Sequence, residues 1–336
     1  MECLRSQFSV NFSELRYLVK RALSYVVVFF VALNLDFAIP RLAPGSAVGI
    51  LASGSRFAPE AAKLLVQRFG LDQPVTVQYV DFIKNIFATW PPFLGLSYEY
   101  YPQPVITLIA TRVTWTMLLV IPSLFLSFFL AYLMTALSSQ KRGGRTERGF
   151  LYAAITMHAI PIYWTAMTLL WVFAVWLGWL PEFGNVAFGN LSGWQFVQSV
   201  AYHMVLPLVA LSLSPLGELY LLLRGSTQEV LQSDYVVAAK IRGLSGKTLA
   251  FSYIVRNSLL PIISITAYSF SAFISRVVLV ESVFGYPGLG DLLVDAATSR
   301  DYPVLTGSLL FITLIVVIGG FIGDVLLVRL DPRLRK

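Results

Sequence analysis

Gly246-Lys247-Thr248 has the composition that ends a phosphate-cradling loop, in which backbone amides and a lysine hold a nucleotide. The spacing fails. The first glycine of such a loop would fall at position 241, which is Ile241, and no buried strand precedes it. The chain is therefore not expected to bind ATP. Other reactive side chains are sparse. Cys3 is the only cysteine, so no internal disulfide forms, and no Cys/His cluster has metal-ligand spacing. His158 and His203 lie in different apolar stretches, and neither is placed beside a nucleophile or a carboxylate. No catalytic residue, metal site or bound cofactor is expected.

Five ionisable residues stand in or at the ends of apolar stretches: Asp36, Glu218, Arg276, Glu281 and Asp324. Charges inside a bilayer are costly and usually face a cavity, a partner or an interface. Glu218 and Arg276 are candidates for a translocation path; a structural ion pair or snorkelling to the interface accounts for them as well. Ser269, Ser271 and Ser275 recur nearby. Their hydroxyls can serve a polar cargo or a helix–helix contact equally, and Ser271 and Ser275 join the candidate path.

The elements that must hold these residues are membrane spans. The chain is 57% hydrophobic and 13% charged, whereas a soluble domain is about 25% charged. A hydrocarbon core of about 30 Å needs roughly 20 apolar residues in a helix. Stretches at 22–39, 114–137, 150–179, 202–223, 262–284 and 304–328 qualify. The third is long enough to tilt or to turn irregularly at Pro161. The fold class is an all-α membrane protein of six transmembrane helices. It divides into an N-terminal segment 1–21, a first span 22–40, a loop subdomain 41–113, a five-span core 114–328 and a tail 329–336. Within the core, a long loop occupies 224–261.

Lys and Arg fix the direction. They cluster at Arg16, Lys20 and Arg21, at Lys141 to Arg148, along the 224–261 loop, and at Arg329 to Lys336. Cytoplasmic flanks collect such residues, so both termini are predicted cytoplasmic, in a multi-pass cell-membrane protein. The same bias accounts for the net charge of +7 without a nucleic-acid partner. Arg41-Leu-Ala-Pro-Gly follows the first span in place of a small-residue cleavage site, so this span reads as a retained anchor. An ion-driven pump would be expected to show broken-helix repeats, and the sequence has no internal repeat.

The outer loop predicts two short helices. Pro59 suits a first turn and Gly70 a helix end; after Pro74, Val75, Tyr79, Phe82, Ile83, Ile86 and Phe87 form a helical stripe. This is either a cap over the outer span ends or a docking surface. In the 224–261 loop, Ser233 or Asp234 can cap a short helix that Gly243 ends, and a second helix is predicted over 246–258. The first presents small residues, Ala238 and Ala239. It can lie on the bilayer or in a groove of a partner.

These residues carry a resemblance. Val237-Ala238-Ala239, three residues, Gly243 and a closing Leu260-Pro261 resemble the signature of binding-protein-dependent ABC importer permeases, with Val237 where a glutamate is usual. Asp234-Tyr235, Gly243-Leu244-Ser245 and Arg256-Asn257 through Pro261 resemble more closely the first permease of the dipeptide/oligopeptide/nickel family. So do Phe69 to Pro74 with Gln78-Tyr79, Leu94 to Ser97, Glu281 to Gly290, Arg300 to Pro303 and Leu330 to Arg333. Pro44-Gly45-Ser46 departs from a usual Pro-Gly-Asp.

The resemblance implies a permease paired with a second, homologous permease. It also implies two ATPase subunits that carry ATP and Mg, and an extracytoplasmic substrate-binding protein. Asp234, Tyr235, Ala238, Ala239, Lys240, Gly243 and Leu244 would form the coupling helix. Asp72, Gln78, Tyr79, Pro287 and Gly288 are candidates for contact with the binding protein. The implied cargo is di- or oligopeptides, with oligosaccharides or nickel as the alternative.

Overall fold

The computed structural model describes residues 12–42, 59–89, 92–140, 143–187, 189–244, 246–255, 258 and 273–330. Among them the structure is helical, with one isolated β-bridge between Leu96 and Pro104. Helix α1 is Phe12–Leu42, α2 Pro59–Arg68, α3 Val75–Phe87 and α4 Val105–Gln140. Helix α5 is Arg145–Ala159, and α6, Ile162–Leu169, continues as a π-helical turn over Leu170–Trp176. Helix α7 is Gly193–Leu231, α8 Asp234–Ile241, and α9, Gly246–Thr248, opens into a second π-helical turn over Leu249–Val255. Helix α10 is Phe273–Phe284, α11 Leu289–Ser299 and α12 Tyr302–Leu330.

Four helices, α1, α4, α7 and α12, are long and apolar enough to cross a membrane. Two bent pairs raise the number to six if each counts as one span: α5 with α6 at 101°, and α10 with α11 at 72°. The third expected span is thus two helices rather than one continuous rod. The cause is local. Ile160 precedes Pro161, and a residue before proline is pushed out of the α region; Ile160 sits at φ −76°, ψ 125°.

Other boundaries also move. The second apolar helix begins at Val105 rather than at 114, and α7 runs through Arg224 to Leu231. The long loop is therefore shorter than 224–261. The helix expected over 246–258 is three α-helical residues and a π turn. Residues 262–272 of the fifth expected stretch lie outside the described residues, and the remainder forms α10.

Helices α4 and α7 pack through small polar residues. The Ser127 hydroxyl reaches the carbonyls of Ser123 (2.8 Å) and Ser212 (2.9 Å), and Ser138 and Tyr220 share a 2.9 Å hydrogen bond. Small residues let helix backbones approach closely where lipid supplies no hydrophobic drive. Gly217 does the same for α7 on α5, since a Cβ there would stand 2.5 Å from the Ala154 carbonyl oxygen. Leu119, Ala166, Leu211, Phe273, Val280 and Tyr286 bring α4, α6, α7 and α10 into one apolar core.

The α2–α3 pair forms as the turn residues dictate. Gly70 takes φ +63° after α2, and Pro74 leads into α3. Helix α3 then runs beside α1, with the Tyr79 hydroxyl 2.7 Å from Asn34 Oδ1 and the Phe37 ring against Tyr79 and Phe82.

Candidate functional site

Helix α8 is held by its inner face. Val236 and Ala239 are buried in a small cluster with Leu249 and Ile254, backed by Val230, Leu231 and Leu244. Those neighbours belong to the end of α7 and to the π turn, so α8 is tied to both. Its ends are well made. Asp234 lies in the first turn and Lys240 in the last, each the favourable sign for the helix dipole. Ser233 occupies the N-cap position, but its hydroxyl donates to the Val230 carbonyl instead of capping α8. The C-terminus is a Schellman motif. Gly243 N–H donates to Lys240 O (2.9 Å), Leu244 N–H to Ala239 O (3.1 Å), and Gly243 takes φ +83°.

The outer face of α8 is open. Asp234, Tyr235, Ala238, Lys240 and Gly243 are exposed. So are Val237 at 46% and Ile241 at 82%. Asp234, Val237, Ala238 and Ile241 share one side at i, i+3, i+4 and i+7 spacing. Within the expected coupling set, Ala239 therefore packs inward and Leu244 is half-buried. Ile241, outside the expected set, shares the exposed side of the helix with Val237 and Ala238, as its spacing from them already indicates.

Glu218 on α7 and Arg276 on α10 meet, with Arg276 Nη2 3.1 Å from Glu218 Oε2. Their side chains are 28% and 21% exposed, so the pair is neither sealed nor free in solvent. Ser275 beside it is exposed; Ser271 and Ser269 lie outside the described residues. A second pair, Arg224 to Glu147 at 2.9 Å, ties α7 to the start of α5, where Glu147 also accepts from Gly143 N–H.

The segment Glu281 to Gly290 is an internal lock. Glu281 is fully buried. Its carboxylate accepts from the Thr116 hydroxyl of α4 (2.7 Å) and from Gly290 N–H (2.7 Å), with Asp291 N–H at 3.4 Å. The Thr116 hydroxyl oxygen accepts from Leu289 N–H at 2.7 Å. One carboxylate thus joins α10, α4 and α11. Gly288 is buried against it and Pro287 is half-buried, so Gly288 offers no surface to a docking partner.

Gln78 and Tyr79 are half-buried and tied to neighbouring residues. Gln78 Oε1 accepts from Arg41 Nε (3.3 Å), its amide donates to Gln73 O (2.9 Å), and Tyr79 is held on α1. Asp72 alone of that group is on open surface. Nearby, Asp301 gathers the chain before α4. Its carboxylate accepts from the Ser97 hydroxyl, from Tyr98 N–H (2.9 Å) and Glu99 N–H (3.0 Å), and from Val304 N–H (3.3 Å). Burial pushes the Asp301 carboxyl up from its ordinary range, and these hydrogen bonds pull it back. Burial likewise raises the Tyr98 phenol.

Two family models cover this architecture. Residues 123–336 match the binding-protein-dependent transport system inner membrane component, and residues 14–120 match the N-terminal region of such membrane components. The chain belongs to this family of multi-pass membrane permease components. It is similar to the oligopeptide transport system permease AppB of Bacillus subtilis, at 30% identity over 95% of this chain and 98% of the relative. It is also similar to the di/tripeptide transport permease DppB of Pseudomonas aeruginosa, at 26% identity over 96% of this chain and 99% of the relative. The dipeptide transport permease DppB of Lactococcus lactis is 28% identical, over 95% of this chain and 99% of the relative.

Proposed function

We propose that this chain is one permease of an ABC importer for di- and oligopeptides. It pairs with a second, homologous permease to enclose the translocation path. A substrate-binding protein supplies cargo from outside, both termini lie in the cytoplasm, and two ATPase subunits hold ATP and Mg. The chain itself performs no chemistry. Relatives named for peptide transport along nearly their whole length support the cargo.

The observation that carries the coupling role is the open apolar face of α8. Val237, Ala238 and Ile241 form a bare apolar strip on a helix outside the spans, the kind of patch that a partner's groove covers. A short helix in a groove is a common docking mode. Because the inner face of α8 is packed on the α7 end and on the π turn, displacing α8 displaces both. ATP can shift the pore only if the ATPase has different affinity for α8 in the two states of the permease. The Glu218–Arg276 pair is the candidate polar element of the path.

Ile241→Asp tests this assignment in the assembled transporter. Peptide uptake and substrate-stimulated ATP hydrolysis should both collapse while the chain still inserts and meets the second permease. Unchanged uptake and hydrolysis would overturn the coupling role of α8. Uptake assays with dipeptides, oligosaccharides and nickel then settle the cargo.

A further inference from the structure

Arg41, at the C-terminal end of α1, is a half-buried cation with only neutral partners. Its Nε donates to Gln78 Oε1 (3.3 Å) and its Nη1 to the Phe37 carbonyl (3.0 Å). Its Cζ stands 3.6 Å from the centroid of the Phe37 ring and 5.9 Å from that of Tyr302. Nη2 makes no hydrogen bond to the described residues. No carboxylate of the described residues forms an ion pair with Arg41. The segment 43–58 that follows it contains no Asp or Glu. A cavity of about 160 Å³ opens beside it, between the end of α1, α3, the chain before α4 and the start of α12. Gln78, Asp81, Phe93, Tyr98 and Tyr302 line it with Arg41, and Asp81 is exposed.

We propose that this cavity receives an acidic side chain of the extracytoplasmic substrate-binding protein, whose carboxylate pairs with Arg41. The contact rests on the importer reading above. Charge selects the chemistry. A partly desolvated cation gains from an opposite charge, and the guanidinium fork matches a carboxylate at two points. Size selects a side chain over the cargo. Pockets for small molecules run to about 300–1,000 Å³, and 160 Å³ falls well short of that range. Position selects the partner. With both termini inside, α1 ends and α12 begins on the outer side, beside the α2–α3 pair. The Phe37 ring and the Gln78 amide hold the guanidinium in place, so little ordering remains to be done when a carboxylate arrives. Gln78 thus serves docking by positioning Arg41.

The test uses the whole transporter in lipid nanodiscs, with its peptide-loaded substrate-binding protein. Arg41→Gln should raise the Kd for docking about tenfold or more. Arg41→Lys keeps the charge and adds a reactive amine. A carbodiimide, which joins an amine to a carboxylate in direct contact, should then link this position to one Asp or Glu of the binding protein, located by mass spectrometry of the linked peptides. An unchanged Kd in Arg41→Gln would overturn the contact. So would a link from Arg41→Lys to Asp81 or to the second permease, or no link at all. Arg41→Gln could instead dock normally but lose discrimination between peptides with free and amidated C-termini. The cavity would then take the cargo's own carboxylate, and the proposal would fall. Failure of the wild-type transporter to bind the binding protein would overturn the importer reading itself.

Discussion

The Glu281 carboxylate occupies the space that a side chain at position 288 would need: a Cβ on Gly288 would stand 2.0 Å from Glu281 Oε1. Gly288→Ala should therefore force the carboxylate out of its seat, at about 1–3 kcal/mol for overpacking. The thermal midpoint of the purified complex should fall. In a Glu281→Ala background the same change should cost much less, because residues that share a space are not additive. Equal costs in the two backgrounds would contradict the lock.

The end of α8 makes a residue-specific prediction. Gly243 needs φ +83°, which asparagine tolerates and valine does not. Gly243→Asn should retain most peptide uptake, whereas Gly243→Val should lose it, with both variants present in the membrane at normal levels. Equal uptake by the two would show that the Schellman turn is dispensable.

The Glu218–Arg276 pair predicts a double-mutant cycle. Removing either partner leaves the other charge half-desolvated, so each single alanine change should slow uptake. The double change should be milder than the sum, by roughly 1 kcal/mol in the activation free energy. Strict additivity would mean that the two side chains act separately.

Asp301→Ala should release the segment before α4. The Ser97 hydroxyl and the amides of Tyr98 and Glu99 would lose their acceptor. An unsatisfied buried donor costs about 1–3 kcal/mol, so hydrogen exchange at 98 and 99 should quicken by about tenfold or more. Protection that stays at the wild-type level would rule out Asp301 as the anchor.

Much of this fold is written in local patterns. Pro59, Gly70 and Pro74 punctuate α2 and α3 as their backbone restrictions require, and the apolar runs give helices of spanning length. The bend at Pro161 was visible as a proline, but its 101° angle depends on how α5 and α6 pack on α7. At α8, Gly243 was legible because a left-handed turn demands it. The split of Ala238 outward and Ala239 inward was not, since both are small and only the tertiary cluster tells them apart. The surroundings of Gln78, Tyr79 and Gly288 were no more legible: the first two are half-buried and the third is buried. Polar or glycine residues in an outer segment suggest surface, yet here Gln78 bonds Arg41, Tyr79 bonds Asn34, and Gly288 is packed against Glu281.

The lock at Glu281 has a consequence for anion recognition. A helix start normally offers unsatisfied N–H groups and a partial positive charge to an incoming anion. In α11 those groups are already committed, Leu289 to Thr116, Gly290 and Asp291 to Glu281, and Leu292 to the Gly288 carbonyl. A full negative charge also sits against that end whenever Glu281 is ionised. The start of α11 is thus electrostatically spent: it is a helix N-terminus that offers no seat to an anion.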